Sequence, residues 1–398
     1  MLVYGNGRSY GDVCLTDDHI LLGRGLDRFI ALDAKRGILR AEAGVLLSEI
    51  LDIIVPKGWF LPVTPGTRFV TLGGAVANDV HGKNHHRAGT FGHHIKALEL
   101  VRSDGSRRVC TPTENSEWFA VTIGGMGLTG LITWVEIQLS RIAGPWIQGR
   151  SQRFRNIQEF LMLSEACDSK HEFTVAWVDC GASENDLGRG ILLSGDFAPA
   201  SVRGGKRPAA RALVHVPFAS PASLINRFSS KAFNAIYYRK PLGEFLTHYE
   251  RFFYPLDAVG NWNRLYGPKG FQQYQCVLPP GTAEQALGEL LAQVARCGQA
   301  SFLAVLKRFG NKPPVGTLSF PRPGITLALD FPMAGAKTLS LLGELDKVVA
   351  AAGGALYPAK DARMGADMYR HSFPNLINSS AFFDPGFSSL FRRRAVQV

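Results

Sequence analysis

Apolar and polar residues alternate over several short runs in the first third of the chain: Ile38-Leu-Arg-Ala-Glu-Ala-Gly-Val, Leu98-Glu-Leu-Val-Arg and Leu131-Ile-Thr-Trp-Val-Glu-Ile-Gln-Leu. A period of two puts alternate side chains on one face of an extended backbone, so each run predicts a half-buried strand. Residues 98–109 predict a hairpin, because Asp104-Gly105 supplies turn residues between two such runs. Residues 47–57 and 114–121 instead space their apolar positions as a helix does. Further along, residues 173–179, 271–278 and 325–331 alternate like strands of one antiparallel sheet, and residues 283–297 and 338–352 carry helical spacing of Leu, Ala and Val. The expected fold class is α+β. A first domain covers residues 1–142, a second domain of helices on an antiparallel sheet covers 143–355, and a C-terminal segment covers 356–398.

The stretch from Phe197 to Gly243 breaks this pattern. It holds eight Lys or Arg (Arg203, Lys206, Arg207, Arg211, Arg227, Lys231, Arg239, Lys240) and no Asp or Glu. The expectation is a basic mobile segment near 199–240 whose first half is a Gly, Pro and Ser-rich loop. In its second half Leu224, Ile225, Phe228, Ala232 and Ile236 share one helical face, flanked by Arg227 and Lys231. Two readings stand: a helix packed on its own domain through that face, or a basic amphipathic helix at a membrane surface.

Composition narrows the classes. At 398 residues, 46% hydrophobic and 19% charged, the chain is that of a folded protein of more than one domain. The net charge of +11 favours anionic partners. No apolar run approaches the ~20 residues of a membrane-spanning helix, and the first residues do not form a signal peptide. A cytoplasmic protein is expected, with or without peripheral contact at a membrane surface. Six cysteines without CxxC spacing point to reduced thiols and to no zinc site. The pair His85-His86 invites a metal reading, but Asp79 is the one acidic residue nearby in sequence, and no metal is expected.

Four glycine-rich turns crowd the first 130 residues. Gly5-Asn6-Gly7-Arg8-Ser9-Tyr10-Gly11 follows a short β-like stretch, and such a loop lets backbone N–H groups converge on a phosphate. It is neither a Walker loop nor a dinucleotide fingerprint. Pro65-Gly66-Thr67-Arg68-Phe69-Val70-Thr71-Leu72-Gly73-Gly74 would let a flat cofactor lie against the backbone. His81-Gly82-Lys83-Asn84-His85-His86 and Ile123-Gly124-Gly125-Met126-Gly127 complete the set.

These motifs in this order, with Trp262 to Gln275 and Leu356-Tyr357-Pro358-Ala359-Lys360-Asp361 behind them, resemble the FAD-dependent oxidases of the vanillyl-alcohol oxidase type. Within that type the likeness is to the branch that oxidises decaprenylphosphoryl-ribose, and it covers nearly the whole chain. It implies a two-lobed FAD-binding domain of that type and a substrate domain. Gly5, Asn6, Gly7, Arg8, Ser9, Tyr10 and Gly11 would wrap the FAD pyrophosphate, with Tyr10 facing the substrate. Gly66, Thr71, Leu72, Gly73 and Gly74 would bind the cofactor through backbone and hydroxyl contacts. His81 would sit near the isoalloxazine in a structural role, Ile132 near the adenosine, and Tyr357 and Lys360 would return to the flavin. Arg8 stands where some relatives tether FAD through histidine, which implies noncovalent FAD. Lys360 is the implied catalytic residue, and Tyr10, Trp177, Gln273, Gln275, Lys307 and Lys360 are the implied substrate contacts. Gln273 and Gln275, two apart in a strand, share a face, and glutamines pointing to solvent are the competing explanation. Relatives carry several tens of residues before the glycine loop, so the first domain is expected to lack an edge or to start further upstream.

The implied activity is oxidation of a secondary hydroxyl of a polyprenyl-phosphate-linked pentose, with hydride passing to flavin N5. A separate NAD(P)H-dependent reductase would complete an epimerisation that serves arabinan in cell-wall biosynthesis. Two alternatives remain at this level: a flavin oxidase of a soluble alditol or aldonolactone, and a noncatalytic anionic-lipid or nucleic-acid binding protein. The second lacks any recognisable nucleic-acid-binding motif.

Overall fold

The computed structural model describes residues 1–182, 186–202, 204–205, 214–299, 301 and 303–396. Arg203, Lys206, Arg207 and Arg211, the loop half of the basic segment, therefore lie outside the described residues. The chain divides into two compact units, Met1–Pro145 with Lys312–Arg322 and Pro358–Val398, and Trp146–Asn311 with Pro323–Tyr357. The stretch Lys312–Arg322, which the sequence reading left inside the second domain, clusters with the first unit.

In the first unit a five-stranded antiparallel sheet runs in the order Phe29–Asp33, Ile38–Glu42, Leu131–Gln138, Ile95–Val101, Arg107–Cys110. The expected hairpin is its far edge, and Gly105 takes the positive φ (82°) that its turn needs. The helix expected at 47–57 is a helix over Leu47–Ile54 followed by a 3-10 turn over Val55–Lys57, where Pro56 prevents regular continuation. The short helix Leu72–Ala77 packs on the strand Leu131–Gln138. Its first turn is capped by the Thr71 hydroxyl, which accepts the Gly74 N–H at 3.1 Å.

The second unit is built on an eight-stranded antiparallel sheet. Its order is Glu244–His248, Trp146–Phe154, Gly190–Phe197, Phe173–Val178, Ala304–Phe309, Gly324–Pro332, Phe271–Leu278, Ala355–Leu356. Helices Ile157–Asp168, Ala283–Cys297 and Ala336–Ala351 pack side by side against it, and Leu287, Leu290 and Leu291 of the middle helix are fully buried.

The basic segment holds a helix, Arg227–Arg239, but it is turned opposite to the packed reading. Its buried residues are Ser230 and Asn234, while Phe228 is 84% and Ile236 73% exposed. The reading in which the apolar face packs on its own domain is corrected. Specific polar contacts hold the other face: Asn234 Nδ2 donates to Asp179 Oδ1 at 2.8 Å, and Arg153 donates to the carbonyls of Tyr238 and Lys240 at the helix end.

Candidate active site

In the first unit the glycine loop meets the C-terminal segment. The Tyr10 N–H donates to the Ala359 carbonyl at 2.9 Å, and the Lys360 ammonium lies 4.4 Å from the centre of the Tyr10 ring. Gly11 has φ 63°, and a Cβ on it would stand 2.2 Å from the Asp361 carbonyl oxygen. Two features 350 residues apart in sequence, a glycine turn and a lysine, thus share one place.

The loop is shaped by its neighbours. Gly7 has φ 57°, and a Cβ there would collide with the Tyr4 hydroxyl at 2.0 Å. A Cβ on Gly5 would fall 2.6 Å from Thr71 Oγ1. The Asn6 side chain donates to the Phe69 carbonyl at 2.7 Å, and the exposed Arg8 guanidinium lies 5.6 Å from the Phe69 ring centre. Among the described residues, the backbone N–H groups of Asn6, Gly7, Arg8 and Ser9 donate to no other part of the protein. A run of such donors around a positive-φ glycine is a concave anion receptor of the kind a pyrophosphate fills. The residues present therefore fit FAD.

In the second turn the backbone amides have partners of their own. The Leu72 N–H donates to Val45 O at 2.8 Å, the Gly73 N–H to Ala43 O at 2.7 Å, and the Gly74 N–H to Thr71 Oγ1. These three amides are bonded within the protein, in packing and capping. Gly73 is required by Ala43, whose Cβ lies 2.8 Å from where a Gly73 Cβ would be. Gly66 is the opposite case: a Cβ on it would meet nothing within 4 Å. Ile132 is buried in the central strand Leu131–Gln138, paired with Leu100.

His81 is buried, pairs with Thr90 through an isolated β-bridge, and its ring lies 6.2 Å from that of Phe320. Two neighbours escaped the sequence reading. Lys83 is half-buried, and burial pushes its ammonium down to about 7. Asp79 is fully buried at φ 38°; it accepts the Gly92 N–H at 2.8 Å and the Ser319 hydroxyl at 2.5 Å, and burial raises its carboxyl. The HGKN motif pointed to this place, but no spacing rule marks which of its residues would be enclosed. Among the described residues no group of three His, Cys, Asp or Glu could hold a metal ion, and all six cysteines are free.

In the second unit the pairing register collects the expected substrate residues. Gln275 lies opposite Ala328, Ala328 opposite Val305, and Val305 opposite Trp177. Lys307 lies opposite Thr326, and Gln273 opposite Asp330. Directly opposed residues share a face, as do residues two apart, so Trp177, Lys307, Gln273 and Gln275 all belong to one face. Gln275 is only 5% exposed and donates to Thr326 Oγ1 at 3.1 Å, which removes the solvent-facing explanation for it. Gln273 Nε2 donates to Asp330 Oδ1 at 2.5 Å, and its buried Oε1 has no hydrogen-bond partner among the described residues. Tyr357 closes this unit, its N–H donating to Gln275 O at 2.9 Å, and Lys360 follows in the first unit.

Comparison with known proteins agrees with the chemistry of these residues. The FAD binding domain family matches residues 1–111. The chain is 34% identical over 415 residues to the decaprenylphosphoryl-beta-D-ribose oxidase of Mycolicibacterium smegmatis, an alignment covering 99% of this chain and 88% of that relative. More local likeness links it to human Delta(24)-sterol reductase, 34% identical over 28% of this chain and 21% of the relative. The L-gulonolactone oxidase of Scyliorhinus torazame is 31% identical over 34% of this chain and 31% of the relative.

Proposed function

Because this chain belongs to the decaprenylphosphoryl-β-D-ribose oxidase family, we propose that it oxidises a secondary hydroxyl of a pentose carried on a polyprenyl phosphate. It is an oxidoreductase acting on a CH–OH group, with FAD as cofactor. Family membership sets aside the noncatalytic binding protein. The observation that carries the finer reading is the Lys360 ammonium against the Tyr10 ring beside the glycine loop.

Oxidation removes the carbinol C–H as hydride and the O–H as a proton, leaving a ketone. Bound FAD supplies the two-electron acceptor. The loop Gly5 to Gly11 holds its pyrophosphate on unspent amides, and Gly66, Thr71, His81, Ile132 and Tyr357 complete the enclosure. With Arg8 in place of a tethering histidine, FAD is held noncovalently. Lys360 serves the hydroxyl oxygen: as amine it accepts the proton, as ammonium it steadies the developing alkoxide. Trp177 offers an apolar wall, Gln273 and Gln275 hydrogen-bond the sugar, and Lys307 meets the phosphate. The free Gln273 Oε1 supports this, since a buried amide oxygen gains from a hydroxyl donor. The keto sugar then passes to an NAD(P)H-dependent reductase.

Anaerobic mixing of the FAD-loaded protein with a short-chain polyprenyl-phosphoryl ribose should bleach the flavin, while free alditols and aldonolactones leave it oxidised. Lys360→Ala should slow bleaching by about 10²–10⁴-fold with the flavin still bound. Bleaching by free polyols alone would favour the soluble-substrate oxidase, and an unchanged Lys360→Ala rate would remove this lysine from the chemistry.

A further inference from the structure

The Arg227–Arg239 helix is amphipathic in the wrong sense for a soluble surface. Ser230 and Asn234 face inward, where Asn234 is bonded to Asp179 and Tyr237 packs on Trp177 at 4.8 Å between ring centres. Phe228, Ala232 and Ile236, spaced four apart, form a stripe on the opposite side, and all three are exposed. Leu224 at 54% and Phe218 at 73% exposure are further exposed apolar residues in the segment leading to the helix. Exposed apolar residues grouped on one helix face mark an interaction surface.

The surrounding charge identifies the partner. Arg227, Lys231 and Arg239 are exposed beside the stripe, and no acidic residue occurs anywhere from Phe197 to Gly243. A protein partner reads mixed charges and shaped pockets. An exposed apolar stripe on a helix whose own charged side chains, Arg227, Lys231 and Arg239, are all cationic instead matches the boundary of an anionic bilayer, where phenylalanine and isoleucine enter the acyl region and lysine and arginine meet phosphate headgroups. The anchoring is suited to this task, because the inward hydrogen bonds fix the helix without consuming its apolar residues.

We propose that the Arg227–Arg239 helix, with Leu224 and Phe218, is the surface by which this protein docks on an anionic lipid bilayer. The inference stands on this surface alone and does not require the proposed substrate. It adds to that substrate a place of encounter: Trp177, on which the helix packs, belongs to the same sheet face as Gln273, Gln275 and Lys307.

The test is flotation of the full-length, FAD-loaded protein with vesicles of phosphatidylcholine alone or mixed with phosphatidylglycerol. The protein should float with the anionic vesicles, less so as salt is raised, and hardly at all with the neutral ones. Phe228→Ser/Ile236→Ser and Lys231→Glu/Arg239→Glu should each lower the bound fraction at least roughly ten-fold, with flavin absorbance and melting temperature unchanged. Failure of the wild type to float, or flotation of both double variants as well as the wild type, would overturn the proposal. So would self-association without vesicle binding that is lost in Phe228→Ser/Ile236→Ser, which would assign the face to a second copy. No turnover enters these measurements, so they are independent of whether the lipid-linked sugar bleaches the flavin.

Discussion

At the residue scale, glycines in this protein are required for different reasons. Gly7 and Gly11 need both a left-handed backbone and space, because Tyr4 and the Asp361 carbonyl stand where side chains would be. Gly73 is dictated by Ala43, and Gly66 by nothing within the protein. This separates folding from binding. Gly11→Ala should lower stability by about 2–4 kcal/mol, since the backbone conformation and the close carbonyl both resist a methyl group. Gly66→Ala should leave stability within about 0.5 kcal/mol and weaken FAD binding. Thermal melts and FAD titrations of both variants check this, and a Gly66→Ala protein with wild-type FAD affinity would take Gly66 out of the site. The glycine loop was legible in the sequence because only glycine permits its backbone. Lys83 and Asp79 were not, because enclosure depends on residues such as Ser319, 240 positions away.

At the scale of elements, the Arg227–Arg239 helix shows what periodicity does and does not say. The spacing of Phe228, Ala232 and Ile236 defines a face, but a face has no inside until the rest of the sheet is in place. Here the buried side is the polar one. Removing the smaller polar side chain should therefore cost more than removing the larger apolar one. Asn234→Ala should lose about 1–2 kcal/mol by ending its bond to Asp179, whereas Phe228→Ala should change stability by less than about 0.5 kcal/mol. Denaturant unfolding measures both, and the reverse order would mean that Phe228 is packed in solution. The strands were easier to read. Gln273 and Gln275 share a face by local geometry alone, but Trp177 and Lys307 join them only through non-consecutive strand neighbours.

At the scale of the whole molecule, the FAD-binding unit is assembled from both ends of the chain. Arg394, in the last helix Leu390–Ala395, reaches Asp12 at 2.8 Å and Asp361 at 3.5 Å, and donates to the Met364 carbonyl. Asp361 is buried, and that burial raises its carboxyl against the opposing pull of Arg363 and Arg394. A raised folded value means that this carboxylate costs stability as pH rises through it. Arg394→Ala removes a counter-charge, so its destabilisation, about 1–3 kcal/mol at neutral pH, should be smaller at an acidic pH at which the Asp361 carboxyl has taken up its proton. Equal losses at both pH values would show that Arg394 acts by packing instead of charge. The variant should also bind FAD more weakly, because Asp361 abuts Gly11 and follows Lys360.

The sequence by itself determined the α+β class, the glycine turns, the family motifs and the shared face of the two glutamines. Each depends on local backbone geometry or on residue types that few alternatives satisfy. The tertiary structure decided which amides stay unspent, which lysine meets the glycine loop, which strands carry Trp177 and Lys307 beside the glutamines, and which side of the basic helix faces outward. Those are matters of long-range pairing and of competition for burial, and no window of neighbouring residues contains the partners that settle them.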